Sequence, residues 1–122
     1  MPGMVYVVED DDGVRDSVAM LLRNYGVPVR TYASGGAFLR DLCPEKEACL
    51  LIDMNMPGVT GLEVLAELQR RGIAIPAIVM TGGLASSIEA AAARIGVTVL
   101  RKPFRPGELM AQIKQALASY QA

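Results

Sequence analysis

The chain has no histidine and no tryptophan among its 122 residues. A Ser-His-Asp triad and any imidazole-based general acid or base are therefore excluded. Cysteine is limited to Cys43 and Cys49. Without histidine, two thiols do not make a zinc site, and they read as buried or half-buried thiols of a reducing compartment. No apolar stretch approaches the roughly 20 residues needed to span a bilayer. Met1-Pro2-Gly3-Met4 lacks the basic region and long apolar segment of a signal peptide. The expected location is the cytoplasm, with no membrane contact. The formal net charge is -1, so no overall basic field points to direct nucleic-acid binding. Neither a G-x-G-x-x-G after the first apolar run nor a P-loop occurs, which removes the common nucleotide-binding readings.

What is present is a globular composition, 52% hydrophobic and 20% charged, long enough for one domain with a real core. Strand and helix patterns alternate five times. Strands are predicted over about residues 5–8, 28–32, 48–52, 77–80 and 97–101. Asp12 is the expected cap of a first helix running to about Tyr25, with Gly26 as its stop. Ser34 caps a short second helix carrying Phe38, Leu39 and Leu42. Thr60 caps a third, stopped at Gly72. Ser86 or Ser87 opens an Ala-rich fourth, Ile88 to Ile95, and Pro106 starts the last. Alternating βα units imply a parallel sheet with helices on both faces. The first, third and fourth strands are apolar throughout, as central strands should be, and the second is mixed, as suits an edge. The expected architecture is an α/β, flavodoxin-like (βα)5 doubly wound sheet of order 2-1-3-4-5, filling residues 1–122 as a single domain.

Chemistry concentrates where the strands end. The first runs into Glu9-Asp10-Asp11-Asp12. The third runs into Asp53 and Met54-Asn55-Met56-Pro57-Gly58. The fourth ends at Thr81 and the fifth at Arg101-Lys102-Pro103-Phe104. In such sheets ligands sit at the carboxyl ends of the strands, at the point where the order reverses. Here that point lies between the first and third strands. An acid cluster, a lone carboxylate, a hydroxyl and an amine on one rim suit phosphoryl transfer with a divalent cation.

The four motifs, in this order and at these intervals, resemble the receiver domain of two-component response regulators over essentially the whole chain. Val14-Arg15-Asp16-Ser17 and the segment from Ile75 to Gly82 look most like receivers of helix-turn-helix transcription factors. The resemblance implies that Asp53 accepts a phosphoryl group from the phosphohistidine of a sensor histidine kinase or phosphotransfer protein. A chain without histidine must be the recipient in such a relay. It implies Mg2+ (or Mn2+) held by Asp10, Asp53 and the backbone carbonyl of Asn55, with Glu9 acting through a water. It also implies that Lys102 pairs with the carboxylate before transfer and with the phosphoryl group afterwards, across a cis bond to Pro103. Thr81 then swings onto the phosphoryl group and passes the signal to the surface of the fourth helix, fifth strand and fifth helix. The output is an effector partner or domain, transcriptional in flavour, or a phosphorylation-driven homodimer. The chain is expected to catalyse only its own phosphorylation and dephosphorylation. Because the last predicted helix runs almost to the final residue, a receiver belonging to a longer regulator is favoured over a stand-alone one.

Four features depart from the family pattern. Glu9 replaces the commoner Asp, though its longer arm still reaches a metal-bound water, and the segment from Gly96 to Lys102 is one residue shorter than is common. Two further positions differ. Val99 stands where receivers usually carry Tyr or Phe, the aromatic whose rotation follows the threonine. Gly83 gives the phosphoryl group little cover, which predicts easier water access and faster phosphate loss. Val99 keeps open an alternative: a receiver-like binding module that works without phosphorylation. An aspartate-nucleophile phosphatase of the haloacid-dehalogenase type shares this chemistry, but it places a second acid where this chain has Asn55 and carries a cap domain.

Overall fold

Short apolar runs bounded by turn residues form the strands, and amphipathic segments between them form the helices. The computed structural model describes residues 3–42, 48–56, 58–82, 90, 94 and 97–118. In chain order the elements are β1 (Met4–Val8), α1 (Asp12–Asn24), β2 (Val29–Tyr32), α2 (Gly35–Asp41), β3 (Ala48–Asp53), α3 (Gly61–Arg70), β4 (Ala77–Thr81), β5 (Thr98–Arg101) and a C-terminal helix (Pro106–Ala118). Ala90 and Arg94 are helical. The rest of the helix expected over 88–95 lies outside the described residues, as do Cys43, Pro57, Gly83 and Gly96. Strand order is β2-β1-β3-β4-β5, and every pairing is parallel. The order expected from the sequence is therefore observed. β2 and β5 open one residue later than predicted, and β3 and β4 include Asp53 and Thr81 as their last residues.

Side-chain alternation divides the core into two layers. Val5, Val7, Cys49, Leu51, Ile78 and Met80 pack with Val18 and Leu22 of α1 and Leu109, Met110 and Ile113 of the C-terminal helix. Tyr6, Val8, Leu50, Ile52 and Val79 pack with Phe38 of α2 and Val64 and Leu68 of α3. Every residue of β3 is buried, and so is every residue of β4. In this second layer Tyr6, Tyr32 and Phe38 form a ring cluster with centroids 5.4 to 6.4 Å apart, within the range where edge and tilted pairs attract.

The helix starts are set by local hydrogen bonds. Asp11, not Asp12, caps α1: its carboxylate accepts from the Val14 N–H at 3.0 Å. Asp12 lies one residue inside the helix, where its own carboxylate bonds Arg15 instead. Neighbouring acids compete for one cap, so Asp12 is not distinguishable from Asp11 by type alone. Ser34 caps α2 as expected. Thr60 caps α3 in a capping box with Glu63, which satisfies two helix-end donors at once. Gly26 and Gly72, at φ 77° and 72°, take the left-handed conformation that follows a helix.

Candidate functional site

The register of the sheet brings the chemistry-bearing residues to one rim. Val8 pairs with Ile52, so Glu9 and Asp53 follow at the same level on adjacent strands. Asp53 pairs onward with Met80, and Thr81 with Arg101, which delivers Lys102 to the same edge. Asp53 is 5% exposed and Glu9 1% exposed, whereas Asp10 and Asn55 face solvent. α3 begins hard against this rim. A Cβ on Gly61 would lie 2.8 Å from the Asp53 carbonyl oxygen, so only glycine lets the helix start there.

The four consecutive acids have separate surroundings. Glu9 lends Oε1 to the Lys102 ammonium at 2.9 Å, and its Oε2 accepts the Asp11 N–H at 3.2 Å. Asp11 caps α1, and Asp12 is 83% exposed and paired with Arg15 at 2.5 Å. Arg15 also donates to the Glu9 main-chain carbonyl at 2.9 Å. Asp53 accepts the Asn55 N–H at 3.3 Å and stands 3.4 Å from the Lys102 ammonium. Lys102 thus sits between two buried carboxylates and is nearer to Glu9. Burial pulls its pKa down, but the Glu9 hydrogen bond and the Asp53 charge outweigh that, and the net shift is upward.

Thr81 is fully buried, and its hydroxyl has no hydrogen-bond partner among the described residues. Its main-chain carbonyl accepts the Lys102 N–H at 2.7 Å. The Lys102–Pro103 bond is cis. Val99 lies in β5 opposite Val79, half-buried on the edge strand. Glu9, Asp10, Asp53, Lys102 and Thr81 are therefore gathered from four strand ends, with Val99 two pairs back along β5 from Arg101. In the sequence Arg15 stands out only as part of the Val14-Arg15-Asp16-Ser17 motif. Its six-residue separation from Glu9, across a strand-to-helix corner, was the available signal.

Glu9, Asp10 and Asp53 each offer a carboxylate oxygen, and these oxygens lie within 4.8 Å of one another. Three carboxylates against one ammonium leave excess negative charge, and hard oxygen donors of this kind suit Mg2+ or Mn2+. The donor set can hold a divalent cation.

The response regulator receiver domain, as a sequence family, matches residues 5–114. Transcriptional regulatory protein FixJ of Azorhizobium caulinodans is 39% identical over 114 residues, covering 93% of this chain and 54% of that protein. Nodulation protein W of Bradyrhizobium diazoefficiens is 38% identical over 108 residues, covering 88% of this chain and 48% of that one. Among solved structures, response regulator StyR superposes with a TM-score of 0.91 at 33% identity, covering 99% of this chain and 62% of that chain. FixJ-N superposes at 0.84 and 30%, covering 95% and 94%. The chain spans about half the length of the curated relatives it matches. The parallel sheet of this order is common to several doubly wound folds, and the acidic rim with a lysine over it, together with the family match, marks a signalling receiver fold. The chain belongs to the response regulator receiver domain family of two-component systems.

Proposed function

We propose that Asp53 accepts a phosphoryl group from the phosphohistidine of a sensor histidine kinase or phosphotransfer protein. The observation that carries this reading is the buried Asp53 carboxylate, 3.4 Å from Lys102 and grouped with Glu9 and Asp10. An Asp53 oxygen forms the new O–P bond as the donor's N–P bond breaks. The departing imidazole nitrogen keeps the electron pair and takes up a proton. Such transfer asks the protein mainly for positioning and charge neutralisation.

Asp10, Asp53 and the Asn55 main-chain carbonyl would hold Mg2+ or Mn2+, with Glu9 acting through a water. The bound cation would offset the repulsion between crowded carboxylates and an incoming phosphoryl group. Lys102 exchanges its carboxylate contacts for a phosphoryl oxygen. The Thr81 hydroxyl, without a partner among the described residues, gains an acceptor in that oxygen. Its movement alters the surface of β5 and the C-terminal helix. That surface acts on an output partner or domain, transcriptional as the names of relatives such as FixJ suggest, or on a second copy of the chain. The chain works in the cytoplasm and catalyses only its own phosphorylation and dephosphorylation. Transfer from a phosphohistidine donor, present in wild type and absent in Asp53→Asn, is the expected result. Equal labelling of both would overturn the assignment.

The half-buried Val99 favours a second reading, a binding module that works without phosphorylation. Under it, Asp53→Asn would match wild type in dimerisation and partner binding.

A further inference from the structure

We propose that Arg15 is a positioning residue for the cation site, holding the corner between β1 and α1 so that Asp10 presents its carboxylate correctly; this rests on the metal-binding reading above. Two peptide groups flank Asp10, and each is held by a side chain. The carbonyl of the Glu9–Asp10 peptide accepts the Arg15 guanidinium at 2.9 Å. The N–H of the Asp10–Asp11 peptide donates to Glu9 Oε2 at 3.2 Å. Asp10 itself is exposed, so its placement comes from its backbone and not from packing. Arg15 lies in the first turn or so of α1, which begins at Asp12 just after β1 ends. Its side chain is only 16% exposed, so its geometry is constrained.

The second hydrogen bond of Arg15 goes to Asp12. One guanidinium thereby ties a loop carbonyl to the first turn of the helix, a fork that lysine's single ammonium does not reproduce. The same bond keeps Asp12 outside the cation site. Of the acids at 9–12, Glu9 and Asp10 are left to the rim, Asp11 caps the helix, and Asp12 is bound to Arg15.

Positioning and simple electrostatics predict opposite signs, which makes the inference testable. Arg15 is a positive charge close to a cation site. If charge were its only effect, neutralising it would tighten cation binding. If it positions Asp10, losing it weakens binding by about tenfold, at the lower end of what outer-sphere partners of metal ligands contribute.

The experiment measures Mn2+ affinity by the electron paramagnetic resonance signal of free Mn2+ for wild type, Arg15→Gln and Arg15→Lys. Thermal melting without metal checks the fold of each. The expected result is weaker binding by about tenfold in Arg15→Gln and a smaller loss in Arg15→Lys. Unchanged or tighter binding in a folded Arg15→Gln would overturn the proposal. If that variant does not fold, Arg15→Lys decides: a severalfold loss supports positioning, and wild-type affinity refutes it. Failure of wild type itself to bind Mn2+ would remove the metal reading and this inference together, an outcome distinct from a failure confined to the variants.

Discussion

Lys102 stands 2.9 Å from Glu9 and 3.4 Å from Asp53, so the lysine of this site is bound more closely to the end of β1 than to the end of β3. Glu9 is 1% exposed, and a carboxylate that buried needs a compensating charge. Lys102 supplies it and stays within reach of Asp53.

Replacing Lys102 with methionine removes that compensation but keeps most of the aliphatic stem. The expected cost is about 1–3 kcal/mol, that of leaving a buried acceptor without its charged partner. Chemical denaturation of the metal-free proteins at neutral pH checks this. A double variant, Glu9→Gln with Lys102→Met, should recover part of the loss, because the charge is then gone from both sides.

Thr81→Val should behave differently from most buried polar substitutions. The hydroxyl has no partner among the described residues, so no hydrogen bond to them is lost. Stability should remain within about 1 kcal/mol of wild type or rise slightly. Phosphorylation-dependent change in the β5 surface, followed by amide exchange, should be lost. A large destabilisation would mean that the hydroxyl is satisfied in solution.

Gly61→Ala places a methyl 2.8 Å from the Asp53 carbonyl oxygen. Backbone must shift to admit it, at a cost of about 1–3 kcal/mol. Because the displaced group belongs to Asp53 itself, phosphoryl uptake should slow as well. Gly58 lies in the same loop at φ 77° with open space around it, so Gly58→Ala should cost stability through backbone strain without crowding Asp53.

Tyr32 gives a pH signature remote from the site. Burial first, then its hydrogen bond to Asp41 at 2.7 Å, pushes the phenol up to about 12. The folded state therefore holds this proton more tightly than the unfolded chain. The stabilisation is fully present below about pH 10 and is lost as pH rises through about 12. A phenolate absorbance titration should show a late-titrating component that is reduced in Tyr32→Phe and shifted earlier in Asp41→Asn.

Most of the frame was legible in the chain because periodicity and turn residues govern it. The apolar runs of β1, β3 and β4 and the mixed character of β2 were enough to order the sheet. The order in turn places Glu9, Asp10, Asp53, Thr81 and Lys102 on one rim. What could not be read depends on side-chain reach and competition. Glutamate at position 9 is long enough to take Lys102, and spacing alone gives no sign of it. Asp11 and Asp12 are equivalent as cap candidates until Arg15 takes one of them. Gly35 passed unnoticed, yet a Cβ there would lie 2.6 Å from Val64 Cγ2, since close approach of α2 to α3 is a tertiary fact.

The most direct test of the account is intact mass after incubation with acetyl phosphate, with and without Mg2+, for wild type and Asp53→Asn. Wild type should gain a phosphoryl adduct that requires Mg2+ and is missing from the variant. An adduct that persists in Asp53→Asn, or no adduct under any condition, would contradict this.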